Sequence, residues 1–280
     1  MTDSPTSAQV DLDQGLTPAA RPNNPSERRP ATARHAWIPR QHGAWAMLLL
    51  PLLLGVAASR PDPWHLALGG AALAGYLGSA ALQAWARARR SPIYRAPIAV
   101  YGAAFAVLGL PLAWSFPALV LAVVVIAPAA LVVFGGARPG TRRDLANSLA
   151  QVAQALVLVP AAAYVSSAFE LARVVPATGV AAGYLIGTVL VVRSVLRERG
   201  NGAFAALSIA FHVVLAVLAA LLLPAAYLPL AAALAIRALA LPVVQRRLAR
   251  ARRPLRPIHV GMVEIVASIT VVAIAFLAPL

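Results

Sequence analysis

Two ionisable residues stand inside long apolar runs, Arg237 in 225-AAYLPLAAALAIRALALPVV-244 and Glu264 in 258-IHVGMVEIVASITVVAIAFLAP-279. A charge away from water is costly, so each such residue marks a site unless a partner neutralises it. At a rise of about 1.5 Å per residue, both lie about 10 Å below the inner end of their runs, and antiparallel neighbours at that depth can pair. Two readings are open: a structural ion pair, or a pair in which one partner also meets a ligand.

Other polar residues fall into stripes. Asn147, Gln151 and Gln154 follow i, i+4, i+7 spacing, which places three amides on one helical face. Ser208 and His212 repeat the spacing in a later run, and Tyr76, Ser79, Gln83 and Arg87 form a third stripe. Beyond Arg87 comes the basic loop 87-RARRSPIYR-95, with Tyr94 and Arg95 at its end, and 193-RSVLRERGN-201 sets Arg193 and Arg197 one turn apart. Guanidinium forks bind phosphate and carboxylate in pairs of hydrogen bonds, so the chemistry on offer is recognition of an anion. The plainer alternatives are helix-packing hydrogen bonds for the amides and snorkelling to anionic headgroups for the Arg residues.

The stretch 39-PRQHGAWAMLLLPLLLG-55 adds His42 and Trp45, spaced i, i+3 and so on one side of the entering helix. A Trp there is an interfacial anchor or part of a rim, and Gly43 lets a backbone or ligand approach closely. Every inward stripe lies in the half of its run nearest the basic loops. An Arg-rimmed cavity open to the cytoplasm, with an anionic or amphiphilic occupant, is the expectation that follows.

The elements that position these residues are membrane helices. Of the 280 residues, 60% are hydrophobic and 12% charged, and the basic residues are all Arg. Apolar runs near the 20 residues that a crossing needs occupy about 42–59, 64–85, 96–114, 117–135, 146–168, 174–193, 203–223, 225–244 and 258–279. The turn 224-PAAYLP-229 is the least certain boundary. Backbone groups in lipid must bond within their own segment, so an all-α, polytopic transmembrane bundle of about nine spans is expected. Residues 1–36 are rich in Pro, Ser, Thr, Asn and charge, and read as a disordered cytoplasmic tail before a single helical domain at 37–280. Arg28 and Arg29 can imitate a twin-arginine signal, but Pro30 spoils that context and a retained first helix is more economical.

Arg placement sets the direction. With nine spans and the N-terminus inside, every Arg except Arg60, Arg173 and Arg237 falls in a cytoplasmic segment, which puts the C-terminus outside. The formal charge of +15 therefore points to anionic headgroups rather than nucleic acid, since no series of base-stacking aromatics accompanies the Arg residues. The absence of Cys removes disulfides, thiolate metal sites and cysteine nucleophiles. HExxH, GxxxxGK[ST] and GxSxG are missing, the five His residues are scattered, and 135-GG-136 reads as a turn. No catalytic residue, metal site or cofactor is therefore assigned.

The blocks 40-RQHGAWAMLLLP-51, 91-SPIYRAP-97, 192-VRSVLRERGN-201 and 260-VGMVEIVAS-268 resemble the YwiC-like family of bacterial membrane proteins. That resemblance runs from about Trp37 to the end and implies a multi-spanning protein, with no activity attached. In topology the chain is also distantly similar to UbiA-type prenyltransferases, which hold magnesium and a prenyl pyrophosphate on Asp-rich motifs. The matching segments here, 79-SAALQAWARARRSPIYR-95 and 188-TVLVVRSVLRERGN-201, carry only Glu198 as an acid, so that metal chemistry does not transfer.

Three functions fit: a binding or accessory protein, a transporter of a small anion or lipid intermediate, and a UbiA-like transferase without the acidic motifs. All three share the cavity, which has a direct test in a chain without Cys. Single Cys replacements at His42, Gln83, Asn147 and Gln151 should react with a small, membrane-impermeant thiol reagent from the cytoplasmic face. Protection at all four positions would remove the cavity.

Overall fold

A computed structural model describes residues 36–38, 43–135, 141–253, 255–278 and 280. The expected tail, apart from Ala36, and the helix-mouth residues Arg40, Gln41 and His42 lie outside the described residues. The helices are α1 (Gly43–Ala57), α2 (Trp64–Arg87), α3 (Arg95–Ser115), α4 (Leu119–Gly135), α5 (Thr141–Leu156) and α6 (Leu158–Tyr164). They continue as α7 (Leu171–Leu196), α8 (Gly202–Leu222), α9 (Leu228–Arg250) and α10 (Pro257–Leu277). No strand occurs among the described residues.

Seven stretches among the described residues are long and apolar enough to cross a bilayer: α2, α3, the joined α5–α6, α7, α8, α9 and α10. The protein is an all-α, multi-pass membrane bundle. The expected first and fourth spans appear as the shorter apolar helices α1, of 15 residues, and α4, of 17. Helix α1 begins directly after residues 39–42 and α4 ends directly before 136–140, both outside the described residues.

Local chemistry sets the boundaries. Asn201 caps α8 by accepting a hydrogen bond from the Phe204 N–H at 3.1 Å, and Gly200 takes the left-handed turn before it at φ 83°. Pro224 opens a 3-10 turn, Ala225–Tyr227, which separates α8 from α9. The fifth run breaks at Val157 because Pro160 has no N–H for the Leu156 carbonyl. In contrast to the expected end near 244, α9 continues to Arg250, its last turns carrying Arg246, Arg247 and Arg250.

Helix α7 is the axis of the bundle, packing on α1, α5, α6, α8, α9 and α10. Its Tyr184, Leu185 and Val189 join Leu50 and Leu54 of α1, Val152 of α5, Leu234 of α9 and Val271 of α10 in the main core. Helices α3, α4, α8 and α10 turn Val107, Val124, Leu221 and Ile265 outward, as a lipid solvent permits.

At one end of the bundle the turn after α1 is fastened to the end of α6. The Ser166 hydroxyl donates to the Arg60 carbonyl at 2.9 Å, and His65 Nε2 lies 2.8 Å from the Ala162 carbonyl. His65 Nδ1 accepts the Asp62 N–H, so the ring proton belongs on Nε2, donating to Ala162. Trp64, Phe116, Tyr164 and Phe169 form an edge-to-face ladder across the same end, with ring centres 5.4 to 6.1 Å apart.

Gly55 makes the closest helix contact here. A Cβ at that position would run into the Val159 carbonyl oxygen and stand 2.6 Å from the Ala162 methyl, and the carbonyl is backbone that cannot rotate away. Gly55→Ala should therefore push α1 from α6 and cost about 1–3 kcal/mol, read as a lower unfolding temperature in detergent. Gly102→Ala, where an added Cβ meets nothing beyond its own helix within 4 Å, is the control and should not lower the transition.

Candidate functional site

A polar seam lies in the interior where α7, α8, α9 and α10 meet. Arg237 of α9 points Nη1 at Glu264 Oε2 of α10, 2.6 Å away, and both side chains are buried. Helix α7 supplies the remaining partners. Thr188 donates its hydroxyl to Glu264 Oε2 at 2.8 Å, and Tyr184 stacks its ring 5.7 Å from the guanidinium carbon. Ser268 donates to the Glu264 carbonyl at 2.8 Å, and the Tyr184 hydroxyl lies 3.0 Å from the same carbonyl and 2.8 Å from Ser268 Oγ. Tyr184 with Thr188 and Glu264 with Ser268 are each i, i+4 pairs, which is how two helices place four polar groups at one level.

The seam is incompletely bonded. Arg237 Nε and Nη2 and Glu264 Oε1 are buried without a hydrogen-bond partner among the described residues. On α8, His212 is 2% exposed and donates from Nδ1 to the Ser208 carbonyl at 2.7 Å. Its Nε2 and the Ser208 hydroxyl are unpartnered, and the ring fits because Gly187 faces it, where a Cβ would stand 2.8 Å from Nε2. Towards the end of α9, Gln245 accepts the Leu255 N–H on Oε1 at 2.8 Å and leaves Nε2 buried and unpartnered.

The other residues singled out in the sequence divide into two groups. Arg87, Arg95 and Arg197 are exposed, and Arg87 Nε donates to the Gln83 carbonyl at 3.2 Å. Tyr94 is buried in the 3-10 turn Pro92–Tyr94 that separates Arg87 from Arg95, and Trp45 is exposed with its ring edge-on to Tyr76 at 6.4 Å. Arg193 is buried, 3.4 Å from Glu198 and 5.9 Å from the centre of the Phe204 ring. Asn147 and Gln151 are half-buried on α5, which packs on α7, and the Asn147 side-chain oxygen is buried and unpartnered. Helix α2 packs chiefly on α3 and also on α1, and α1 in turn packs on α7. His42 lies outside the described residues.

Sequence reasoning overlooked Tyr184, Thr188, Ser268 and Gln245. A lone hydroxyl in an apolar run passes for a packing residue, and only the depth it shares with Glu264 distinguishes it. Among the described residues no group of three His, Asp or Glu side chains is placed to hold a metal ion.

Comparison with known proteins fixes the family. The model of the YwiC-like protein family matches residues 38–164. Across 193 residues, 66% of this chain and 78% of the relative, the sequence is 32% identical to "Uncharacterized protein YwiC" of Bacillus subtilis (strain 168). The chain belongs to the YwiC-like family. No solved structure matches it. The segment matched by the YwiC-like family model covers α1 to α6 and the Gly55 contact, and ends before the Arg237–Glu264 seam begins.

Removing one partner of a buried ion pair strands the other charge, whereas removing both does not. Arg237→Gln should cost about 3–5 kcal/mol, and Arg237→Gln with Glu264→Gln should recover most of it. Thermal unfolding of the two variants and Glu264→Gln, in one detergent, measures the cycle. Equal, additive losses would mean that the two charges are not coupled.

Proposed function

We propose that this YwiC-like protein binds a small anionic or amphiphilic molecule in the α7–α10 seam. The observation that carries this reading is Arg237, a buried guanidinium that bonds Glu264 through Nη1 and leaves Nε and Nη2 unpartnered. Nε and Nη2 lie on one edge of the guanidinium plane, the fork that takes two oxygens of a carboxylate or phosphate.

In this reading entry is from the end of the bundle that carries Arg193, Arg197 and the 246–256 Arg cluster, and that end faces the cytoplasm because translocated loops exclude Arg. Gln245 and Arg237 are eight residues apart on α9, about 12 Å of helix, and Ser208 and His212 line the neighbouring α8. Together they supply unpartnered polar atoms along the way in. Exposed Arg87, Arg95 and Arg197 act at longer range, raising the local concentration of anions. A second reading, transport of the same molecule, is favoured by Arg237 lying near the middle of its helix rather than at its mouth.

Native mass spectrometry after gentle detergent extraction tests the binding. The wild-type chain should retain an anionic species, and the folded variant with both Arg237→Gln and Glu264→Gln should lose it. Identical spectra from the two proteins would overturn the site. The fragment masses of the released species would separate a lipid-like acid from a small hydrophilic anion.

A further inference from the structure

Resting on that assignment of Arg237, we propose that anion binding in the seam is coupled one-for-one to protonation of Glu264, so that the ligand enters together with a proton. Charge balance in the seam requires this. The seam holds one positive group, Arg237, and one negative group, Glu264, bonded to each other. The groups facing them are Tyr184 and Thr188 from α7, His212 from α8 within electrostatic reach of Arg237, and Ser268 from α10. Helix α1 also packs on α10, and has no titratable side chain among its described residues.

A monoanion bonding Arg237 Nε and Nη2 would leave this interior with a net negative charge, which a low-dielectric surrounding opposes strongly. One proton removes the excess. Glu264 Oε1 is buried and unpartnered, so an O–H bond can form there while Oε2 continues to accept from Thr188. The new O–H, without another partner among the described residues, is free to donate to the ligand. The net step adds one proton and one anion to the site, breaks no covalent bond and leaves the interior charge unchanged. Among the other groups, His212 Nε2 is also an unpartnered acceptor of a proton. It faces the α7 backbone across Gly187, whereas Glu264 lies on the guanidinium itself.

Coupling of this kind has a thermodynamic signature. When one proton is taken up per ligand bound, affinity falls about tenfold for each unit rise in pH. It also makes the loaded site electroneutral, which is the form able to cross a bilayer interior without moving charge. The seam would in that case serve symport of a proton with an acid anion.

The test uses the full chain in lipid nanodiscs, with hexanoate and hexanesulfonate as probes, both of which stay ionised between about pH 6 and 8. Calorimetric titration in buffers of different ionisation enthalpy counts the protons taken up per probe bound. The wild type should take up one proton, with affinity about tenfold weaker per pH unit. Glu264→Gln should bind with no proton uptake and no pH slope, and His212→Gln should behave as the wild type. Uptake that persists in Glu264→Gln and disappears in His212→Gln would overturn the assignment to Glu264. Wild-type binding with no proton uptake would overturn the coupling and leave the anion site standing. Absence of binding of either probe to the wild type would overturn both. If Glu264→Gln does not give a monodisperse protein, the wild-type pH slope decides the question, and a flat slope rejects the proposal.

Discussion

A charge at the depth of the hydrocarbon must find its counter-charge and hydrogen bonds inside the protein, and this requirement organises the C-terminal part of the bundle. Helices α9 and α10 contribute one charge each, and neither could be buried alone. Their 2.6 Å contact fixes the rotation of both helices, because turning either by a few residues would carry its charge into lipid. Tyr184 and Thr188 then tie the pair to α7.

Helix α7 can act as the hub because small residues bring its neighbours close. Gly187 admits the His212 ring, and Gly183 receives the Leu215 side chain so tightly that a Cβ there would collide with it. On the other side of the bundle, Gly55 seats α1 on α6. In a lipid solvent apolar side chains gain little by leaving the solvent, so contacts of this kind and interior hydrogen bonds hold helices together. The same close packing gives the polar groups their positions, and Arg237, Glu264 and His212 each keep a buried atom without a partner among the described residues.

Much of this was legible in the sequence. The apolar runs appear as helices in the same order, the Pro224 turn separates α8 from α9, and the resemblance carried by the 40–51 and 91–97 blocks agrees with the family match. What the sequence left unread has physical causes. The apolar run ends near 244 and α9 continues beyond it to Arg250, because long Arg side chains can leave a helix sideways toward water. Spacing within a run places Arg87, Arg95 and Arg197 at helix ends and says nothing of which ends meet. The deeper groups escaped notice because Thr and Ser satisfy themselves on their own helix as readily as they reach across to another.

The central claim is that Arg237 is held for a ligand as well as for Glu264. A density map of the protein in lipid nanodiscs, at a resolution that shows ordered water, tests it most directly. The account predicts non-protein density within hydrogen-bonding distance of Arg237 Nε and Nη2, on the side away from Glu264. Finding both nitrogens bonded to protein oxygens, with no further density beside them, would contradict it.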